Sequence, residues 1–84
     1  MKVLVYGYAY LRDVVGEELV LDMSEGSLVG ELLSELRKKF PSFREHEGAL
    51  LLLLNGRELM SRWDFALPLR DRDQVELIPL IGGG

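Results

Sequence analysis

The sequence predicts an α+β fold: a mixed sheet of four to five strands with one main helix packed on one face. Three observations predict it. Two strand-like segments at the start, "MKVLVYGYAY" and "EELVLDM", are joined by a short connection. One stretch, "SEGSLVGELLSELRKKFP", repeats apolar residues at helical spacing. Two further extended segments, "ALLLLNGREL" and "QVELIPLI", follow it.

The first segment is rich in β-branched and aromatic residues. Lys2 seeks water, so Val3 and Val5 are expected to face the core and Leu4 and Tyr6 to face outward. "LRDVVG" reads as a loop closing at Gly16. The second segment alternates, with Leu19, Leu21 and Met23 on one side, and the short link predicts an antiparallel hairpin. In the helix, Leu28, Val29, Leu32, Leu33, Leu36 and Phe40 form one apolar stripe. Ser27 is the expected N-cap. Gly30 stands where a capping box from Ser27 would need glutamate, so no box is expected. Glu31 and Glu35 come early and Arg37, Lys38 and Lys39 late, which suits the helix dipole, and Pro41 stops the helix.

"SFREHEG" reads as a polar connection. The third strand turns at Asn55-Gly56, the pair favoured in type I′ hairpins. "MSRWDFALPL" is irregular or holds a short helical turn, with Trp63 and Phe65 expected as a satellite core beneath it. "RDRD" is a tight turn, where Asp71 and Asp73 serve turn formation. In the last strand Val75 and Leu77 point inward and Glu76 and Ile78 outward; Pro79 fits only at its end or at an edge. A long helical connection between the second and third strands places the first and last strands side by side. That arrangement is the β-grasp, the ubiquitin-like architecture. The expected organisation is a β-grasp domain over 1–78 and a flexible tail over 79–84.

Composition narrows the chemistry. The chain has 84 residues, 48% hydrophobic and 29% charged, with a net charge of −4 and no cysteine. Disulfides, zinc-thiolate sites, iron–sulfur clusters and a cysteine nucleophile are excluded. The acidic balance argues against nucleic acid as a partner. No signal-peptide pattern opens the chain, and no apolar stretch approaches the roughly 20 residues of a membrane span. The expected compartment is the cytoplasm, with no membrane partner. His46, alone between Glu45 and Glu47, lacks a ligand set, so no metal is expected.

The end of the chain, "LIPLIGGG", carries the functional signal. Glycine loses the most backbone entropy on ordering, so Gly82, Gly83 and Gly84 contribute little to a fold. From Pro79 the six residues to Gly84 reach about 20 Å if extended. A segment without side chains can thread a narrow channel and place its α-carboxyl inside another protein. That carboxyl, ionised above a pKa of about 3.3–3.7, is a poor electrophile until activated. Leu4, Tyr6, Ile78, Leu80 and Ile81, with one parity of the Leu50–Leu54 run, are expected to form an apolar partner-binding surface leading into the tail. The run itself is expected to be a buried central strand.

Three stretches resemble the small subunit of molybdopterin synthase, within the wider family of ubiquitin-like sulfur carriers and small archaeal modifiers. "YAYLRDVVG" is similar to that family's first-strand exit, "LLNGREL" to its third strand and turn, and "DRDQVELIPLIGGG" to its closing motif. Asp73, Val75, Pro79, Gly83 and Gly84 fall on matching positions. Arg72 stands where a turn glycine is common, and Leu80 where a second proline is frequent. The resemblance implies that Gly84 is adenylated by an ATP-dependent, ubiquitin-activating-type enzyme and then thiocarboxylated. The tail then enters the large, catalytic synthase subunit, where sulfur passes to a pterin precursor of the molybdenum or tungsten cofactor. It implies no catalytic residue and no bound cofactor on this chain; ATP is used by the activating partner. The same activated carboxyl would serve a protein modifier joined through Gly84 to lysines, or a thiamine-pathway sulfur carrier. A non-conjugating binding module would leave the glycines without a role.

Overall fold

A computed structural model describes residues 1–59 and 64–80. Five strands form one sheet in the order β2-β1-β5-β3-β4: β1 (Lys2–Gly7), β2 (Glu18–Asp22), β3 (Leu50–Leu54), β4 (Arg57–Leu59) and β5 (Gln74–Pro79). β1 and β2 form the expected antiparallel hairpin, and β1 runs parallel to β5 at the centre. β3 pairs antiparallel with both β5 and β4. The main helix, α2 (Val29–Lys39), covers one face, as the β-grasp expectation requires.

The expected inward residues form the core. Val3, Val5, Val75 and Leu77 are fully buried, and so are Val29, Leu32 and Leu36 of the helix. Asn55 and Gly56 take φ of 50° and 85°, the left-handed pair of a type I′ turn, between β3 and β4. Pro79 is the last residue of the central strand β5, and at a strand end its missing N–H is tolerated. It is buried, and the Leu80 N–H beyond it donates to the Ala49 carbonyl at 2.9 Å. Strand pairing thus runs into the segment expected as tail.

Four local expectations are corrected. "LRDVV" is not a loop but a helical turn, α1 (Leu11–Val15), with Leu11 and Val15 four residues apart and both buried. Its packing on β1 is close: a Cβ at Gly7 would stand 2.6 Å from the Gly16 carbonyl oxygen and 2.8 Å from that of Leu11. "SFREHEG" is not simply a polar connection. It forms two 3₁₀ turns, Pro41–Glu45 and Glu47–Ala49, and Phe43 fills the core at zero exposure. The cap of α2 is Leu28 rather than Ser27. The Glu31 carboxylate accepts the Leu28 N–H at 3.1 Å, one arm of a capping box whose other arm leucine cannot supply. The loop after the 3₁₀ turn Asp64–Ala66 completes this end: the Val29 N–H reaches the Leu67 carbonyl and the Leu69 N–H the Ser27 carbonyl. Finally, the leucine run is not a buried strand. β3 is interior to the sheet, but only Leu52 is buried: Leu50 and Leu54 pack half-buried against the core at the strand ends, and Leu51 and Leu53 face the side that no described layer covers.

Of the two turn aspartates, Asp73 bonds within the turn as expected, whereas Asp71 ties the turn to β1. Asp71 accepts the Lys2 N–H at 2.7 Å, and Asp73 accepts the Arg70 N–H at 2.8 Å and the Asn55 side-chain amide at 2.9 Å. Phe65 packs against the core at half burial; Trp63 lies outside the described residues. No helix among the described residues is long and apolar enough to cross a membrane.

Candidate functional site

The uncovered sheet face is the feature that the fold leaves to function. Its residues are fixed by strand parity: those facing away from α2 are Leu4 and Tyr6 of β1, Val20 of β2, Ile78 of β5 and, by register, Leu51 and Leu53 of β3. Leu51 lies opposite Ile78. Leu4, Tyr6, Ile78, Leu51 and Leu53 are half-buried, while Val20 and Leu80 are 50% and 49% exposed. Four of the five residues expected in the partner-binding surface, Leu4, Tyr6, Ile78 and Leu80, therefore lie on this face or at its edge. Ile81 and the tail residues Gly82, Gly83 and Gly84 lie outside the described residues.

The structure adds members that the sequence reading did not name. Val20 was legible from alternation, since Leu19, Leu21 and Met23 take the other side. Leu51 and Leu53 needed the register with β5. Tyr8, 44% exposed just past β1, reaches over the face and donates its hydroxyl to Glu76 at 2.7 Å. That hydrogen bond to a carboxylate raises the Tyr8 phenol above its ordinary 10.0. A shallow cleft of about 230 Å³ beside it is lined by Tyr6, Gly7, Tyr8, Arg12 and Glu17.

Elsewhere the described surface offers structural pairings. His46 meets the Tyr10 ring at 5.2 Å between centroids. Lys2 pairs with Asp22 at 2.9 Å, and that hydrogen bond, then the charge of the lysine, holds the exposed Asp22 carboxyl below its ordinary value. Arg37 of the basic "RKK" run is held by Glu47 at 2.6 Å.

The uncovered face reaches Leu80, the last described residue of the closing motif. The ThiS family model matches residues 5–84, nearly the whole chain and all of the closing motif. The chain belongs to the ThiS family. The chain is also similar to a curated protein, the molybdopterin synthase sulfur carrier subunit of Arabidopsis thaliana. It is 36% identical over 85 residues that take in 100% of this chain and 82% of that one. Among solved structures, the putative molybdopterin converting factor subunit 1 of Pyrococcus furiosus superposes with a TM-score of 0.82 at 26% identity, covering 96% of this chain and 99% of that one. The small archaeal modifier protein 1 of Methanosarcina acetivorans gives 0.78 at 26% identity, covering 99% and 96%.

Proposed function

We propose that this ThiS-family chain is a sulfur carrier of the molybdopterin synthase type, acting as the small subunit of that enzyme. The observation that carries the reading is the 36% identity to a molybdopterin synthase sulfur carrier subunit across the full length of this chain, through the last glycine. The mechanism follows from the chemistry of a chain end. A Gly84 carboxylate oxygen attacks the α-phosphorus of ATP on an adenylating enzyme, and pyrophosphate leaves. The mixed anhydride is an electrophile that the free carboxylate is not. Hydrosulfide from a sulfur donor then attacks the carbonyl carbon, the bond to AMP breaks, AMP leaves, and the product is a C-terminal thiocarboxylate.

Gly82 and Gly83 keep the segment narrow enough to enter the catalytic subunit, where sulfur passes to a pterin precursor. The β-grasp domain contributes no catalytic group and binds no cofactor of its own. It holds the segment and supplies the docking face formed by Leu4, Tyr6, Ile78, Leu80 and Ile81. Function in the cytoplasm agrees with the ATP-dependent partners.

Intact mass spectrometry tests the reading. The chain, incubated with its host's adenylating enzyme, ATP and a sulfur source, gains the mass of one oxygen-to-sulfur exchange at Gly84. An unchanged mass with an adenylating enzyme that consumes ATP in the same mixture defeats it.

A second reading is favoured by the likeness to the Methanosarcina modifier protein. The same activated Gly84 would be attacked by a lysine amine instead of sulfur, leaving an isopeptide bond. Gly-Gly remnants on lysines of other host proteins, absent when this chain is deleted, would establish that role.

A further inference from the structure

The uncovered sheet face is apolar along its two flanks and acidic across its middle. Strand register sets the pattern. Glu18 lies opposite Tyr6, and Tyr6 opposite Glu76. Glu76 lies opposite Leu53, and Leu53 opposite Glu58. One row across all five strands therefore reads Glu18, Tyr6, Glu76, Leu53, Glu58. Carboxylates stand on alternate strands, about 10 Å apart at the usual strand spacing. Val20 and Leu4 flank the row on one side, and Ile78 and Leu51 on the other.

These carboxylates are unmatched. Glu18 and Glu58 are exposed and make no ion pair among the described residues. Glu76 is half-buried and, among the described residues, accepts the Tyr8 hydroxyl and no cation. Lys2 shares the face but sits at its far end, held by Asp22. Arg12 borders the cleft beside Tyr6 without an ion pair among the described residues. The chain's basic cluster, Lys38, Lys39 and Arg44 with Arg37, lies on α2 and the 3₁₀ turn after it, across the sheet from this face.

A partner that covers the apolar flanks must also cover the row. Burying a carboxylate without a counter-charge is costly, so an apolar or acidic partner is rejected. A basic one is drawn in at long range and fixed in register. We propose that this face docks partner proteins presenting a strip of Lys or Arg side chains, between apolar contacts, to Glu18, Glu76 and Glu58. The proposal rests on the carrier reading and specifies the chemistry of the docking surface which that reading needs.

Titration calorimetry of the full chain against the host's synthase large subunit, and separately its adenylating enzyme, tests it at low and high NaCl. Affinity is expected to fall as salt rises. Glu18→Gln, Glu76→Gln and Glu58→Gln each weaken binding about three- to tenfold. Glu35→Gln, on the helix, leaves it unchanged, and all four stay folded at the temperature of the titration, as circular dichroism reads. Wild-type affinity in the three sheet variants, or affinity independent of salt, overturns the proposal. If Gly84 still gains sulfur in that case, the carrier reading stands alone. If the wild type binds neither protein and gains no sulfur, both fail. Sedimentation of the chain alone covers the remaining occupant: a dimer that Glu76→Gln and Lys38→Gln each dissociate assigns the row to a second copy and also overturns the proposal.

Discussion

Arg72 shows how one residue can carry a local misfit that the rest of the chain absorbs. It takes a φ of 68°, a region where a Cβ costs about 1–2 kcal/mol and glycine nothing. The position is held because its N–H donates to the Lys2 carbonyl at 2.6 Å, tying the turn to β1. Its side chain offers little in return: the guanidinium is exposed and 3.8 Å from Asp71. Arg72→Gly keeps the backbone bond and removes the strain, against the greater freedom of glycine in the unfolded chain. The net expected gain is about 0.5–1 kcal/mol, read from the denaturant midpoint.

Tyr8 supplies the second residue-scale prediction. Its phenol is raised above 10.0 first by the hydrogen bond to Glu76. A raised folded value means the bond's contribution is complete below pH 10 and is lost as pH rises through the folded value. The wild type should therefore lose stability above pH 10 more steeply than Tyr8→Phe. Glu76→Gln should return the Tyr8 titration, followed by ring-carbon NMR, toward the ordinary value. An unmoved titration would mean the bond does not form in solution.

Among the elements, those with a long repeating pattern were legible and the short ones were not. The α2 stripe spans three turns, and alternation in β1, β2 and β5 places each side chain, so both survive an error at one position. α1 has five residues and the 3₁₀ turn at Pro41–Glu45 has five, too few to repeat any pattern. Phe43 was lost for that reason: one aromatic residue among Ser42, Arg44 and Glu45 looks like a loop residue until α2 and α1 are seen to close over it. Phe43→Ala leaves a cavity that this small core cannot refill. It should cost about 3–5 kcal/mol in urea unfolding. A cost below 1 kcal/mol would show that the 3₁₀ turn sits outside the cooperative core. The α2 cap was misread by one residue because its N-terminus is secured from outside the helix, by the carbonyl of Leu67.

At the scale of the molecule, the proposed carrier role divides the work between a rigid sheet and the closing segment. The last described pairing contacts are those of Pro79 and Leu80, so no described strand pairing depends on the last two residues. Deleting Gly83 and Gly84 is expected to abolish sulfur loading while the melting temperature moves by about 1 °C or less, since no described core contact is lost. A large fall in melting temperature would mean that the end is part of the fold and would count against its role as cargo site.

The sequence by itself determined the succession of β-grasp elements, the inward and outward parity of β1 and β5, and the Asn55-Gly56 turn. Each depends on neighbours within a few residues, where periodicity and turn stereochemistry act directly. Only the tertiary structure decided which parity of the leucine run is uncovered, that Val20 joins Leu4 across a strand pair, and that Glu18, Glu76 and Glu58 fall in one row. Those relations come from hydrogen-bond register between residues up to 70 positions apart, as in Tyr6 and Glu76, and a slip of one residue would turn a strand's side chains to the other face.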